Sequence, residues 1–177
     1  MEQVVLVDKN DNNIGLMEKL AAHQGSGHLH RAVSVLLYRK KNGKTEILLQ
    51  QRSKNKPLWP LYWSNTVCTH PCDGELPINC AVRRLKEEMG ITVKPENLRF
   101  IFTLLYQAKY NDDLSEHELD NVFVGEWDGE VELNNREVES CRWFAWNELQ
   151  KNSMEKSQQF TPWFNLLVKK IDISTLR

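Results

Sequence analysis

The chain has 177 residues, 41% hydrophobic and 27% charged, a composition typical of a folded globular protein, so collagen-like, low-complexity and wholly disordered chains are excluded. Lys and Arg number 23 and Asp and Glu number 24, which gives a net charge of −1. This balance excludes a protein that binds duplex nucleic acid through a large positive field, and it leaves room for a local basic pocket.

Chain length predicts one domain over residues 1–177. A domain usually has roughly 100 to 200 residues, and no repeat or Pro/Gly/Ser-rich linker divides this chain. No apolar run approaches the roughly 18 residues of a membrane span. The short apolar start has no basic leader, and four cysteines are too few for a disulfide scaffold. We therefore expect a cytoplasmic protein with no membrane, nucleic-acid or obligate protein partner.

The first third of the chain is predicted to form β-strands. Residues 4–7 and 14–18 flank a turn-like polar stretch. Residues 32–38 are expected to pair with residues 46–51 across Asn42-Gly43, because this dipeptide favours the tight turn of a hairpin.

The clearest helix is predicted at residues 78–89. Its apolar residues recur at helical spacing, Pro77 suits a first turn, and Gly90 suits the end of a helix. Aromatic and β-branched residues then favour strands, which we expect at 99–110, 119–127 and 140–146.

A last helix is predicted to begin at Pro162, with Thr161 as its N-cap, and to end at Lys169-Lys170. The predicted order is strands, then a helix, then further strands and helices. This order indicates an α+β fold, with mixed β-sheets flanked by a few helices.

Three of the five histidines, His23, His28 and His30, lie within eight residues of one another. A loop with several imidazoles can wrap a divalent metal. An exposed polar loop has the same appearance, and for this cluster alone it is the favoured interpretation.

A second candidate site is Glu116-His117-Glu118. In extended backbone, residues i and i+2 point to the same face, so both carboxylates can converge on one ion while His117 faces away. The alternative is an acidic, solvated loop, which is favoured if the segment is taken by itself.

A third candidate is the segment 65–71, which contains Cys68 and His70. A cysteine and a histidine two residues apart can supply an acid or nucleophile and a metal ligand, and they can equally be a buried thiol and a capping imidazole. Cys72, Cys80 and Cys141 lack the paired spacing of a metal finger and are interpreted as structural.

The helix at 78–89 carries the fourth candidate. Surface ion pairs among Arg83, Arg84, Glu87 and Glu88 explain its polar side simply, yet a wider set of residues stands at the spacing of a Nudix signature: Thr69, Glu75, Arg83, Leu85, Glu87, Glu88, Gly90 and Ile91. Thr69 replaces the signature's glycine, and Arg84 replaces a glutamate that usually binds metal. An arginine there favours binding a diphosphate over gathering metals to cleave it.

Taken together, these pieces resemble one family, the type I isopentenyl-diphosphate isomerases, from about Val4 to Trp163. The resemblance is carried by Glu18-Lys19, His23 and His30, Gln51-Arg52, Lys56, Trp59-Pro60, residues 63–71, Arg83-Arg84, Glu88, Tyr106, Glu116, Glu118 and Pro162-Trp163. The combination is highly specific, although each piece is modest. It implies a Nudix-like fold.

The resemblance also implies two metal positions and a diphosphate site. One divalent ion, manganese, magnesium or zinc, would be held by His23, His30, His70, Glu116 and Glu118. A magnesium ion carried in on the substrate would be approached by Glu88 and the backbone carbonyl of Cys68. The implied diphosphate-binding residues are Lys19, Arg52, Lys56 and Arg84.

The implied reaction is the conversion of isopentenyl diphosphate to dimethylallyl diphosphate by a 1,3-allylic proton shift, a step in isoprenoid biosynthesis. Cys68 and Glu118 would be the acid/base pair, with Tyr106 beside them and Trp163 facing the carbocation. Two alternatives remain open: a Nudix pyrophosphohydrolase acting on a nucleotide or related diphosphate, and a non-catalytic module that senses metal or diphosphate.

Overall fold

A computed structural model describes residues 2–155 and 159–176, without the side chains of residues 152–155. The strands of this part are β1 (Gln3–Val7), β2 (Asn13–Glu18), β3 (His30–Lys41), β4 (Lys44–Arg52), β5 (Trp63–Ser64), β6 (Val67–Thr69), β7 (Arg99–Lys109), β8 (Ser115–Glu126) and β9 (Val138–Ala145). The helices are α1 (Lys19–Ala22), α2 (Pro77–Met89), α3 (Trp146–Glu155) and α4 (Pro162–Lys170).

The strands form one mixed sheet with β3 at its centre. The hydrogen-bonded order β2-β1-β3-β4-β5 is extended by β6 and β8 on β3, by β7 on β8 and by β9 on β4. Strands β3 and β8 run parallel, and the other pairs are antiparallel. The predicted α+β class with a mixed sheet and a few helices is confirmed.

The two faces of the sheet carry separate cores because neighbouring residues of a strand point to opposite faces. Leu36 and Tyr38 of β3 pack with α4 and the start of α3 on one face. Val35 and Leu37 pack with α2 on the other. We call these the α4 face and the α2 face.

Most local predictions are confirmed. The hairpin β3–β4 turns at Asn42 and Gly43, which have φ values of 50° and 73°, as a tight turn with two left-handed residues requires. Helix α2 begins at Pro77, and Gly90 closes it in the left-handed conformation.

Other boundaries were wrong. Strand β8 begins at Ser115, ahead of the predicted residue 119, so Glu116 and Glu118 lie in the sheet. Strand β9 ends at Ala145, where its pairing with β4 ends, and Trp146 begins the unpredicted helix α3. Thr161 is the N-cap of α4 by backbone position, but its hydroxyl bonds to Ser64 and not to the helix.

Gly90 also lies against a neighbouring loop, so replacing it should cost more folding stability than replacing a glycine with open space around it. Its φ is +67°, and an added Cβ would lie 2.7 Å from Glu132 Cβ, whereas Gly43, at φ +73°, has open space there. We expect Gly43→Ala to lower the free energy of unfolding by about 1–2 kcal/mol through backbone strain, and Gly90→Ala to lose a further 1–3 kcal/mol, roughly, through overpacking. Urea denaturation measures both, and equal losses would contradict the contact.

No helix within residues 2–155 and 159–176 combines the length and the apolar character needed to cross a membrane. The four cysteines are free thiols, with Cys80 buried and Cys72 exposed. The single domain over residues 1–177 stays a prediction.

Candidate active site

Strand pairing brings four of the predicted site residues, His30, Tyr106, Glu116 and Glu118, to the α4 face. Glu116 and Glu118 lie on the same side of β8 as Val122 and Val124, which are core residues of that face. Glu118 lies beside His30 of β3 on one side and beside Tyr106 of β7 on the other. Glu118 is therefore the centre of a row that runs across three strands.

A cavity of about 230 Å³ opens above this row. The predicted residues that line it are Lys19, His23, Arg52, Lys56, Cys68, His70, Glu116, Glu118 and Trp163. Its remaining walls include Leu20, Pro57 and Leu58, so the space combines apolar and charged surfaces. A small ligand with one apolar and one anionic end suits such a lining.

Three imidazoles and one carboxylate converge at the wall of the cavity. Ligand atoms of His23, His30, His70 and Glu118 all lie within 4.8 Å of one another. His23, His30 and Glu118 are almost completely buried. His30, His70 and Glu118 are far apart in sequence and are brought together by the pairing of β3 with β6 and β8.

The second nitrogens of two imidazoles show that the set fits a cation. Nδ1 of His23 lies 2.6 Å from the Lys19 carbonyl oxygen, and Nδ1 of His30 lies 2.7 Å from that of His28. A carbonyl only accepts, so each Nδ1 carries a proton, and whenever such a ring is neutral the lone pair of its Nε2 is turned inward. His30 Nε2 and His70 Nε2 are 3.1 Å apart. Inward-facing nitrogens beside a carboxylate are the donors of a transition-metal or zinc site.

Glu116 adds a second carboxylate at the edge of this cluster. Its Oε2 lies 2.8 Å from Nε2 of His23. Burial lowers the pKa of His23, the carboxylate of Glu116 raises it, and the resulting pKa is about 9. A metal ion bound through His23 has to displace this proton, because a ligating imidazole is neutral.

Glu118 and Tyr106 form a buried acid/base pair. The Tyr106 hydroxyl donates to Glu118 Oε2 at 2.5 Å, while Oε1 lies 2.9 Å from His70 Nε2. Burial raises the pKa of Glu118, but hydrogen bonds from His30 and His70 hold it well below its usual value. Burial and the nearby Glu118 charge raise the pKa of Tyr106. The carboxylate is thus ionised and the phenol protonated.

Cys68 points into the same cavity from β6. Its neighbours Val67 and Thr69 face the other way, and its backbone pairs with Ser34. Burial and the charge of Glu118 raise the pKa of the thiol well above its usual value. Cys68 is therefore a thiol, which carries a proton, and not a thiolate.

Trp163 closes the cavity with a ring whose orientation is fixed. Its indole N–H donates to Ser64 Oγ at 2.9 Å and lies 3.2 Å from Asn65 Oδ1. The ring packs edge-on against Trp59, with centroids 5.4 Å apart. Buried hydrogen bonds of this kind hold an aromatic face at a set angle.

The four predicted diphosphate cations differ in their contacts. Lys19 binds Glu2 at 2.9 Å. Arg52 donates from Nε and Nη2 to the carbonyls of Leu58 and Trp59, and its guanidinium carbon lies 5.2 Å from the Trp163 ring centroid. These three bonds show that Arg52 also braces the loop that forms one cavity wall.

Lys56 and Arg84 are joined by a carboxylate that was not singled out from the sequence. Lys56 forms an ion pair with Glu137, and Arg84 Nη2 lies 3.5 Å from the same carboxylate. Lys56 lines the cavity, whereas Arg84 does not.

Glu88 is buried beside Arg84 and not in the histidine cluster. Its Oε1 accepts from Arg84 at 2.7 Å, and its Oε2 accepts from Gln50 at 3.1 Å. The metal-binding role predicted for Glu88 stays a prediction, as does the role of the Cys68 carbonyl.

This chain matches known proteins over most of its length. The NUDIX domain family matches residues 28–164. An isopentenyl-diphosphate Delta-isomerase of Photobacterium profundum is 42% identical over 167 residues, which cover 92% of this chain and 90% of that protein. The isopentenyl-diphosphate Delta-isomerase 1 of Photorhabdus laumondii is 40% identical over 164 residues, covering 93% and 91%. The chain belongs to the isopentenyl-diphosphate Delta-isomerase family.

Two solved structures align with this isopentenyl-diphosphate Delta-isomerase family member at low sequence identity. A protein of Deinococcus radiodurans aligns with a TM-score of 0.72 at 16% identity, covering 96% of this chain and 98% of that one. The MutT protein of Methanosarcina mazei aligns with a TM-score of 0.64 at 18% identity, covering 84% and 96%. At these identities the likeness shows the Nudix fold alone.

Two histidines, His28 and His117, lie outside the cluster. His117 points to the opposite side of β8 from Glu116 and Glu118, and its Nδ1 lies 3.2 Å from the Gly27 carbonyl oxygen. His28 contributes its backbone carbonyl to His30. They are natural controls for the cluster.

Two carboxylates near the site, Asp120 and Glu137, were assigned no role from the sequence. Asp120 continues the alternation of Glu116 and Glu118 on the α4 face and is completely buried; the same i, i+2 spacing would have found it. Glu137 lies in a polar loop among other acidic residues, and no local signal separates it from them.

Metal binding by the histidine cluster is expected to stabilise the fold. A divalent ion at 100 times its Kd should add about 2.7 kcal/mol to the free energy of unfolding, because the folded state alone presents the converged ligands. His30→Gln should abolish this metal-dependent increase, while His28→Gln and His117→Gln should keep it. Thermal denaturation with and without EDTA measures the effect. A full increase in the His30 variant would contradict the site.

Proposed function

We propose that this chain isomerises isopentenyl diphosphate to dimethylallyl diphosphate. The single observation that carries the proposal is the meeting of a protonated thiol, an ionised carboxylate bonded to a tyrosine, and an oriented indole around one small cavity. Relatives that bear the isomerase name cover more than nine tenths of the chain.

The reaction needs an acid and a base that act on the same five-carbon unit. A proton is added to the terminal alkene carbon, a tertiary carbocation forms, and a different proton leaves C2. Cys68 and Glu118 are the groups we assign to this pair, with Tyr106 donating a hydrogen bond to Glu118 Oε2. An alkene is a poor base, so both groups have to be positioned before proton affinity matters.

We assign the metal to His23, His30, His70, Glu116 and Glu118. Manganese, magnesium and zinc all accept mixed nitrogen and oxygen donors. A divalent ion there supplies positive charge that orients Glu118 and tunes its proton affinity. We assign to Glu88 and the Cys68 carbonyl the approach to a magnesium ion that arrives with the diphosphate.

Trp163 would protect and stabilise the carbocation. The indole is buried against Trp59 and Tyr106, so water is kept from that side of the cavity. A cation over a desolvated indole gains about 2 kcal/mol or more. The hydrogen bond to Ser64 fixes the orientation of the ring at the cavity wall.

We assign the diphosphate to Lys19, Arg52, Lys56 and Arg84. Lys19, Arg52 and Lys56 line the cavity, and local cations explain how a chain of net charge −1 holds a strongly anionic substrate. The isoprenoid diphosphate is the small-molecule partner, and a cytoplasmic location without nucleic-acid, membrane or obligate protein partners stays a prediction.

Incubation of the metal-loaded protein with isopentenyl diphosphate should produce dimethylallyl diphosphate, measured by chromatography. The alternative, a Nudix pyrophosphohydrolase, predicts phosphate release from nucleotide diphosphate derivatives. Folded, metal-loaded protein that releases phosphate from such a panel and leaves isopentenyl diphosphate unchanged would overturn the isomerase assignment. Tight binding without any product would favour a sensing module.

A further inference from the structure

Glu137 bridges two cations of the assigned diphosphate site. One carboxylate oxygen forms the ion pair with Lys56, and the other lies 3.5 Å from Arg84 Nη2. A phosphate group can bind a lysine and an arginine in the same way, with one oxygen on each cation. The Glu137 carboxylate thus makes the contacts that an anionic ligand of this site would make.

The charges of Lys56 and Arg84 are already balanced by carboxylates of the protein. Lys56 and Arg84 together contact three carboxylates, those of Glu137, Glu88 and Glu87. A diphosphate that approaches Lys56 therefore meets an adjacent negative charge. Burial raises the pKa of Glu137, but the charges of Lys56 and Arg84 lower it by more. The pKa is therefore below its usual value, and the carboxylate stays ionised.

The loop that carries Glu137 is fastened on two sides. Asn134 N–H donates to the Glu88 carbonyl at 2.9 Å, at the end of α2, and Ser53 N–H donates to the Glu137 carbonyl at 3.0 Å. The backbone is held by these bonds, while the Glu137 side chain keeps 26% of its surface exposed. We therefore expect the carboxylate to be displaced by rotation of the side chain.

Arg84 is separated from the cavity by this arrangement. Lys56 lines the cavity, and Arg84 and Glu137 do not. The Glu137 carboxylate lies between the two cations, so we expect a ligand held by Lys56 to reach Arg84 once this carboxylate moves aside.

We propose that Glu137 is a resident counter-anion of the diphosphate site, which holds Lys56 and Arg84 together in the free protein and is displaced by the incoming diphosphate. The inference rests on the proposed function only for the identity of that anion. Glu137 is a specificity-determining residue that sets affinity for the anionic end of the ligand, and it takes no part in proton transfer. It weakens binding, so substrate and product both leave more readily.

The test is the affinity for inorganic pyrophosphate, measured by calorimetry with magnesium in fixed excess. Glu137→Gln keeps the shape and removes the charge, and we expect about tenfold tighter binding, or about 1.4 kcal/mol. Glu139→Gln removes the same charge from an exposed neighbour on β9 and should leave the affinity nearly unchanged. A merely structural role of Glu137 would weaken binding. Unchanged or weaker binding by folded Glu137→Gln protein would overturn the proposal.

A double-mutant cycle tests the part assigned to Arg84. In an Arg84→Gln background, the gain from Glu137→Gln should shrink, because one of the two released cations is gone. A full gain there would contradict the release of Arg84. Pyrophosphate binding needs no turnover, so a failed isomerase assay alongside tighter binding would remove the proposed function alone.

Discussion

Replacement of Cys68 by Ala should reduce isomerase turnover by at least about 10³-fold, the upper part of the range for loss of a positioned acid or base. The thiol is the group of β6 that faces the cavity, and burial keeps it protonated. Turnover is measured by conversion of isopentenyl diphosphate, and bound metal by elemental analysis.

Two results accompany this expectation. Metal content should stay at the wild-type level, because the converging ligand atoms belong to histidines and Glu118 and not to the thiol. Cys141→Ala is the matched control, since Cys141 is a partly buried free thiol on β9. It should keep turnover within about twofold, as substitutions away from a site usually do. Wild-type turnover in the Cys68 variant would remove that residue from the reaction.

Replacement of Glu118 by Gln should also stop turnover, by about 10³-fold or more. The amide cannot take up a proton as the carboxylate does, and it breaks the pattern in which Tyr106 and His70 each bond to one oxygen. Metal affinity should fall as well, since Glu118 is the carboxylate that converges with the three imidazoles. Loss of metal alone would mimic this result, so turnover has to be measured at saturating metal.

Glu126→Gln is the matched control for that variant. Glu126 lies at the far end of β8, on the same side of the strand as Glu118, and is exposed. Its replacement removes the same charge from the same strand and should leave turnover within about twofold. If saturating metal restored full turnover to the Glu118 variant, its role would be confined to metal binding.

The local features of the fold followed from sequence where short-range chemistry decides them. Asn42-Gly43 specifies a hairpin turn, and Pro77 and Gly90 mark the ends of α2, because each depends on the backbone preferences of one or two residues. The shared face of Glu116 and Glu118 follows in the same way from strand geometry.

The predicted strand boundaries were wrong where tertiary contacts, and not local sequence, decide the structure. The start of β8 is polar, so residues 115–118 resemble a loop, yet the site requires buried carboxylates there. Aromatic residues near Trp146 resemble a continuing strand, but the pairing of β9 with β4 ends at Ala145. Tertiary pairing overrides local propensity in both cases.

The convergence of the site is the part that local reasoning could not supply. His30 lies beside Glu118 because β3 and β8 pair in parallel with one register, and no residue near His30 encodes that register. The resemblance to a known family filled this gap for the histidines and for Glu118. It offered nothing for Glu137, whose significance depends on two cations that lie far away along the chain.

The most direct measurement is deuterium uptake from heavy water into the five-carbon diphosphates, followed by mass spectrometry and NMR. A reversible allylic proton shift predicts that label enters at the terminal carbon and at C2, and that it enters remaining isopentenyl diphosphate as well as the product. Folded, metal-loaded protein that leaves both diphosphates free of deuterium would contradict proton transfer at this cavity.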